Sequence, residues 1–394
     1  MAFNLIENLV VSLLNISPRL QSVATGYLLA LMLEAAKNTQ SFASSITSKG
    51  QSQFSRFLNQ HKALAIASLD LLAKQFALSQ APLRNPIIPG VTWTIALLID
   101  ATLHPRSSRH LQNSQRFNHG QGFVIGHQWT NIVLYINNQV IPLPPIPFYS
   151  KNECKRRKIA YKTEHERILE FFQNFDLTEY VGEYFADEVV VLTDSGYDDK
   201  VLQAAILAMG WDFVSSLKAN RGAKSLHAHA AGKKKWTRVD DLFWAIRKES
   251  PWKTVVLPTD GGKKRRKFRA RKLVGRIKGI ARDVTLVCSE KSGKTTGRRY
   301  FVCSASGLDQ GTIIRLYSKR WAIELFHRTT KQQLGMLDAG VQSFDAQVSH
   351  VHWSYCAYIL LHQLEIEGTT TLLDKQRRLT KMVAKVPWQG KLRS

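Results

Sequence analysis

The sequence EVVVLTDSGYDD, residues 188–199, is an apolar run that ends in a carboxylate and a glycine-containing turn. A short run of this kind predicts a strand that is buried on both faces. The run VTWTIALLID, residues 91–100, has the same character and also ends in a carboxylate. Because active sites of α/β sheets collect at the carboxyl ends of strands, Asp100 and Asp194 are candidate metal ligands. A strand-end Asp is often only a turn residue or helix cap, and we expect that role for Asp198 and Asp199.

The segments around these two runs predict a mixed α/β sheet. Strands are indicated by GFVIGHQWTNIVLYI, residues 122–136, and by QVIPL, residues 139–143, with Asn137-Asn138 as the hairpin turn between them. A helix pattern over residues 200–210 and a strand pattern over residues 212–220 follow the Asp194 run. Alternating strands and helices after an antiparallel hairpin are typical of a mixed sheet.

Changes in composition divide the chain into five parts. Within the first part, SFASSITSKGQSQFSRFLN, residues 41–59, is compatible with a helix-turn-helix or with a plain helical hairpin. The fourth part contains one long helix pattern, GTIIRLYSKRWAIELFHRTTKQQLG, residues 311–335. The predicted parts are a helical N-terminal DNA-binding domain (1–88), the first part of the α/β core (89–220), a β-rich insertion whose short strands are separated by basic turns (221–304), the second part of the core (305–366) and a basic C-terminal tail (367–394).

The chain is strongly basic, with 55 Lys and Arg against 30 Asp and Glu and a net charge of +25. This excess favours a polyanionic partner, most often nucleic acid, although anionic lipid or a merely cationic soluble protein would also fit. The four cysteines form no CxxC pair, which argues against a zinc knuckle and a disulfide framework. No export signal and no membrane-spanning segment are predicted.

A polar stripe is predicted within the helix pattern of residues 311–335. Tyr317, Arg320, Glu324 and Lys331 are spaced by three, four and seven residues, so they fall within roughly 60° of one helix face. Apolar residues flank the stripe on both sides, which indicates the lining of a cleft. The alternative is an ordinary surface helix stabilised by ion pairs between neighbouring turns.

The arrangement Tyr317-x2-Arg320-x3-Glu324-x6-Lys331 resembles the signature of bacterial insertion-sequence transposases of the insertion-sequence-four group, which belong to the DDE superfamily. Asp194-Ser-Gly-Tyr197 resembles the second Asp motif of that family, and Asp100-Ala-Thr resembles the first. The order and the spacing also agree, since 194 − 100 = 94 and 324 − 194 = 130. The resemblance covers about residues 90–340.

This resemblance implies an RNase H-like mixed sheet core interrupted by the β-rich insertion. It implies that Asp100, Asp194 and Glu324 are catalytic and bind two Mg²⁺ ions, with Mn²⁺ as a substitute. The implied function is cut-and-paste transposition through hairpin intermediates, in the bacterial cytoplasm at the nucleoid. Its partners would be double-stranded DNA, as terminal inverted repeats and target, and a second copy of the chain. Two rivals are an RNase H-like nuclease without strand transfer and an inactive DNA-binding descendant.

Other residues are predicted to contact DNA or to have structural roles. Tyr317, Arg320 and Lys331 would hold phosphates, and the run KKRRKFRARK, residues 263–272, with Lys264, Arg265 and Arg266, favours phosphate contact over a solvated loop. Relatives trap a flipped base on an aromatic ring; Trp236, Trp244 and Trp252 are candidates, but a core or interface role is favoured for each. His104, His119 and His127 are expected to be structural. Gly293-Lys294-Thr295 is no nucleotide-binding loop, because Cys288 stands where its leading glycine would be.

Overall fold

The computed structural model describes residues 17–33, 38–106, 110–226, 236–248, 250–258, 265–291 and 297–384. The N-terminal part is helical, as predicted, although residues 1–16 of that predicted domain lie outside the described residues. Two of its helices lie on either side of Lys49-Gly50. Within the described residues its helices are α1 (Pro18–Met32), α2 (Thr39–Ser45), α3 (Gln51–Gln60) and α4 (Lys62–Gln80).

The middle of the chain alternates strands and helices. It begins with β1 (Ile95–Pro105), β2 (Gln115–His119), β3 (Gly122–Ile136), β4 (Gln139–Pro142) and β5 (Ile146–Pro147). Three helices follow, α5 (Lys151–Arg157), α6 (Glu164–Asn174) and α7 (Thr178–Val181). The next elements are β6 (Val189–Thr193), α8 (Lys200–Ala208) and β7 (Asp212–Leu217).

The remainder is β-rich and then helical. The strands are β8 (Gly222–Ser225), β9 (Thr237–Arg238), β10 (Lys253–Pro258), β11 (Arg265–Ile277), β12 (Val284–Lys291) and β13 (Arg299–Cys303), with the helix α9 (Val239–Ala245) between β9 and β10. The last helices are α10 (Gln310–Ser318), α11 (Trp321–Gln332), α12 (Phe344–Gln363) and α13 (Leu372–Ala384). None of the described helices is long and apolar enough to cross a bilayer.

The described strands form one mixed sheet in the order β2-β3-β1-β6-β7-β13-β12-β11-β8-β9, with β4 and β5 paired to β3 and β10 paired to β11. Strands β1, β6 and β7 run parallel, and the other pairs are antiparallel. The mixed α/β architecture is confirmed and is consistent with an RNase H-like transposase domain. The strands of residues 221–304 continue the core sheet through the β7–β13 pair rather than forming a sheet of their own.

Local sequence explains the strands nearest the centre of the sheet. All five residues of β6 are buried, and four of them are valine or leucine, as expected for a strand covered on both faces. The predicted hairpin turn between β3 and β4 is confirmed: Asn137 and Asn138 have φ values of 51° and 63°, which Asn tolerates better than most residues. On β3, Gly126 is required because a Cβ there would lie 2.0 Å from the carbonyl oxygen of His104.

Four predictions of element boundaries were wrong. Strand β1 does not end at Asp100 but continues to Pro105, because its pairing with β3 extends beyond that with β6. The part of the basic run that the structure describes is strand β11 rather than a turn, since it pairs with β10 and β12. The long helix pattern of residues 311–335 forms two helices, α10 and α11. The C-terminal tail contains α13, which buries Leu379.

The N-terminal helices share their core with the C-terminal ones. The Tyr27 hydroxyl on α1 is 2.7 Å from Nδ1 of His350 on α12, and both side chains are buried. Lys62 on α4 forms an ion pair of 2.6 Å with Asp345 at the start of α12. On α13, the buried Gln376 donates to the backbone carbonyl oxygens of Leu33 and Gln333. The terminal helices therefore form one packed layer.

Candidate active site

The register of two parallel strands brings Asp100 and Asp194 side by side. Ile99 on β1 is paired with Thr193 on β6, so the two aspartates are the next residue on each of two adjacent strands. Asp194 begins a tight turn, in which its Oδ1 accepts a hydrogen bond of 2.7 Å from the backbone N–H of Gly196. The carboxylate side chains thus stand at the edge where the β1–β6 pairing ends, which is where α/β sheets bind ligands.

Glu324 approaches this edge from the first turn of α11. Arg320 connects it to the sheet: its Nη2 donates to Glu324 Oε1 at 2.9 Å, and its Nη1 lies 3.5 Å from Asp100 Oδ2. The side chains of Arg320 and Asp100 are 12% and 15% exposed, so their contact is largely shielded from bulk water, whereas the Glu324 side chain is 35% exposed. One guanidinium therefore holds the carboxylates of a helix and a strand together.

Asp100 is the electrostatic centre of the cluster. Burial raises the pKa of its carboxyl group to about 7; Arg320 opposes that rise, and the nearby Glu324 and Asp194 carboxylates add to it. Desolvation and like charges both disfavour the ionised form, so the site would gain most from a bound cation. Glu324 and Asp194 are therefore each close enough to Asp100 for their charges to act on its carboxyl group.

The predicted Tyr-Arg-Glu-Lys stripe does not lie on one continuous helix. Tyr317 is in the last turn of α10 and Arg320 directly precedes α11, because the N–H groups of Lys319 and Arg320 bond to carbonyl oxygens three residues back and tighten the chain. The stripe still faces the site. The Arg320 Cζ lies 5.8 Å from the Tyr317 ring centroid. Burial lowers the pKa of Lys331, and the nearby Asp100 charge opposes that shift.

A second hydrogen-bond cluster, which the sequence analysis missed, supports the turn that carries Asp194. The Tyr197 hydroxyl and the Thr130 hydroxyl donate to Oε1 of Glu164 at 2.8 Å and 2.7 Å, and Gln128 donates to its Oε2 at 2.8 Å. Burial raises the pKa of Tyr197, as does the negative charge of Glu164. No spacing in the sequence connects residues 128, 164 and 197, so only the fold brings them together.

His327 is a neighbour of Asp100 that was not predicted from the sequence. Its Nδ1 lies 3.9 Å from Asp100 Oδ2. Burial, with Lys331 and Arg320 close by, lowers its pKa to about 3, so the ring is neutral near pH 7. A usable signal was present in the sequence, because His327 follows Glu324 by three residues and so lies on the same side of the helix.

The donor set suits a hard divalent cation, although it is not assembled around one. Carboxylate oxygens are the ligands that Mg²⁺ prefers, and the pKa of Asp100 stays raised by burial although Arg320 opposes that rise. Within the described ranges, no three His, Cys, Asp or Glu side chains are arranged closely enough to hold a metal ion. Arg320 instead occupies the position between Asp100 and Glu324.

The remaining predicted DNA contacts lie away from this cluster. Arg265 and Arg266 are exposed at the start of β11, whereas Lys264 lies outside the described residues. A core or interface role was favoured for the tryptophans; Trp236 is 39% and Trp244 is 61% exposed, so neither is a core residue. Each of the three tryptophans has a cation over its ring, and Arg271 Cζ is 4.1 Å from the Trp252 centroid.

Some of the residues predicted to be structural have that role in the fold, and others do not. His104 and His127 are buried among hydrogen-bond partners in the fold, as expected, whereas His119 is exposed on β2. Asp199 caps α8 through the N–H groups of Val201 and Leu202, as predicted. Asp198 is not a cap. It is buried and lies 3.5 Å from Nε of Arg221. The Gly293-Lys294-Thr295 triplet lies outside the described residues.

A family model matches the part of the sequence that contains Asp194 and Glu324. Residues 166–360 match the model described as Transposase DDE domain. This match supports a DDE-superfamily transposase. It includes Asp194 and Glu324 and begins after Asp100, which the strand register brings next to Asp194. No curated protein sequence is significantly similar to the chain. Such a domain suggests an enzyme that cleaves nucleic acid and acts on DNA.

Proposed function

We propose that this protein is a cut-and-paste transposase of the insertion-sequence-four group, which cuts the ends of its own element and joins them to target DNA. The observation that carries the proposal is that the strand register places Asp194 next to Asp100, while Arg320 contacts both Asp100 and Glu324. The transposase domain match supports the same chemistry. An RNase H-like core divided by the β-rich segment 221–304 is part of this proposal.

Asp100, Asp194 and Glu324 would hold two Mg²⁺ ions, or Mn²⁺ in their place. When bound, such a pair activates the attacking oxygen and stabilises the leaving oxygen of an in-line displacement at phosphorus. The raised pKa of Asp100 supports this assignment, because bound divalent cations would offset both the burial of its charge and the repulsion from Glu324 and Asp194. The same carboxylates would serve both strand cleavage and strand transfer, and hairpin formation at the element end is part of the proposed sequence.

The cations of the stripe would act on the phosphate groups of the DNA. Arg320 offers a planar fork of donors next to Asp100 and Glu324, suited to phosphate oxygens. Lys331 and Tyr317 are partly buried, with Asp100 near the first and Asp194 near the second, and would hold the neighbouring phosphates. Partial burial would strengthen each of these interactions, because a protein interior has a lower dielectric than water.

Double-stranded DNA would also contact the basic surface far from the carboxylates. Arg265 and Arg266, with Lys264 beside them in sequence, would bind the phosphate backbone, and the net charge of +25 favours such binding. Because an element has two ends and each chain has one candidate site, we propose that two copies pair on the DNA. Light scattering with and without end DNA tests this pairing: a complex with the mass of one copy and one DNA end contradicts it.

The test is cleavage of a labelled DNA that contains the flanks of the protein's own gene, with Mg²⁺ or Ca²⁺. Asp194→Asn and Glu324→Gln should abolish cutting while binding in Ca²⁺ persists. Asp199→Asn is the matched control, since the same substitution five residues away replaces one good helix cap with another. Loss of cutting in Asp199→Asn as well would mean that Asp→Asn changes here act through folding.

Two outcomes distinguish the rival functions. Cutting without joined products, when unlabelled target DNA is added, would identify a nuclease that lacks strand transfer. Binding without cutting in wild type would identify an inactive DNA-binding descendant. Hairpin products, which run at twice the single-strand length on a denaturing gel, would support the proposed intermediates.

A further inference from the structure

A buried chain of polar groups connects the Glu324 helix to the strand opposite Asp100. Asn131 on β3 is the residue paired with Asp100 in the β1–β3 ladder. Its Nδ2 lies 3.0 Å from Nε2 of His327, and its Oδ1 lies 2.7 Å from the Tyr355 hydroxyl. Asn131 is 1% and Tyr355 0% exposed. The connection therefore runs from α12 through β3 to α11, one turn after Glu324.

The direction of the hydrogen bonds among Tyr355, Asn131 and His327 follows from their donors and acceptors. The Tyr355 hydroxyl donates to Oδ1 of Asn131, so the Asn131 amide nitrogen faces His327. That nitrogen can only donate, which makes Nε2 of His327 the acceptor and leaves the ring proton on Nδ1. The Nδ1–H group then faces Asp100 Oδ2 at 3.9 Å. The Asn131 side chain thus fixes which imidazole nitrogen carries the proton.

The opposite amide orientation is disfavoured by the same geometry. If the Asn131 oxygen faced His327, Nε2 would have to carry the proton and Nδ1 would present a lone pair to the Asp100 carboxylate. Two acceptors would then face each other in a buried site, which costs free energy. The orientation with the Asn131 nitrogen towards His327 therefore provides hydrogen bonds for Tyr355, Asn131 and His327, and it also directs a donor at Asp100.

We propose that His327 and Asn131 are positioning residues, which hold the Glu324 helix in register with the strand pair that carries Asp100 and direct an N–H group at the Asp100 carboxylate. Partners of this kind outside the metal ligands usually change metal affinity or activity by about 10- to 100-fold. The inference rests on the proposed function, because Asp100 and Glu324 are ligands only if the site binds metal.

The experiment compares His327→Leu, which removes both ring contacts, with His327→Gln, which keeps an acceptor for the Asn131 amide. Two readouts are used: the Mn²⁺ concentration that gives half of the metal-induced rise in Tm without DNA, and the Mg²⁺ concentration that gives half-maximal cutting. The matched control is His352→Leu, another buried histidine, whose Nδ1 bonds instead to the carbonyl oxygen of Val348.

We expect His327→Leu to raise both metal concentrations about 10-fold or more, His327→Gln to restore them to within about threefold, and DNA binding in Ca²⁺ to stay unchanged. His352→Leu should lower Tm and leave the metal requirement unchanged. Equal metal requirements in wild type and His327→Leu would overturn the proposal, as would failure of His327→Gln to restore them. If wild type binds Mn²⁺ with this His327 dependence but cuts no DNA, the proposed function fails and the positioning role stands.

Discussion

Replacing Asp100 with Asn should stabilise the metal-free protein more at pH 8 than at pH 5. The folded chain raises the pKa of this carboxyl group from 3.8 to about 7, mainly through burial. Between these two values the folded state retains a proton that the unfolded state has lost, so the wild type loses stability as the pH rises from about 4 to about 7. The asparagine side chain has no charge to bury, so the variant protein does not lose stability in this way.

The size of the effect follows from the pKa. At pH 5 the two states of the wild type differ by nearly one bound proton, and this difference falls to about one half at pH 7 and to nearly zero at pH 8. The deficit therefore grows by roughly 2.5 kcal/mol between pH 5 and pH 8 and is nearly constant above pH 8. The attraction to Arg320, 3.5 Å away, acts on the ionised carboxyl group, and its effect is already contained in the pKa of about 7.

Urea denaturation in EDTA, followed by tryptophan fluorescence at pH 5 and pH 8, measures this difference. The free energy of unfolding of Asp100→Asn minus that of wild type should be larger at pH 8 by roughly 2.5 kcal/mol. Mg²⁺ added at pH 8 should then stabilise wild type and have little effect on the variant, since only wild type keeps all three carboxylates. An equal difference at the two pH values would refute the burial argument for Asp100.

Three further predictions test the scaffold and the DNA surface. Gly126→Ala should cost about 3 kcal/mol or more in denaturant unfolding, since its Cβ would lie 2.0 Å from a backbone oxygen; a loss below about 1 kcal/mol would contradict this. Gln376→Ala should lower stability by about 1–3 kcal/mol, because it leaves two carbonyl oxygens without its amide donor, and an unchanged Tm would count against a docked α13. Arg265→Gln and Arg266→Gln should each reduce the slope of log Kd against log salt by about one, as measured by fluorescence anisotropy, whereas unchanged slopes would exclude phosphate contact.

The centre of the sheet could be predicted from the sequence because its signals are local. The run before Asp194 is a strand because valines dominate five consecutive residues, and Asn137-Asn138 form the hairpin turn because Asn tolerates positive φ. The proximity of Asp100 to Asp194 followed from one general rule about strand ends. Each of these inferences needed only a few neighbouring residues.

Contacts that depend on tertiary packing could not be predicted. Glu164, more than 30 residues from either hydroxyl donor, binds Thr130 and Tyr197 only after the sheet and α6 are packed together. The break between α10 and α11 has no Gly or Pro to announce it, so helix periodicity alone continued through Arg320. Strand β11 was missed because its exposed positions are basic, and charge without apolar alternation is typical of a turn.

The pairing of β7 with β13 has a consequence for any attempt to shorten this chain. Excision of residues 221–304 would remove every neighbour that β7 has on that side and leave its row of N–H and C=O groups open along a strand whose Phe213 and Val214 are now covered. An open apolar edge of this kind recruits strands from other molecules. The segment therefore also covers the edge of the core sheet, and a shortened chain would need a substitute edge, such as a charged or proline-containing strand, to avoid edge-to-edge association.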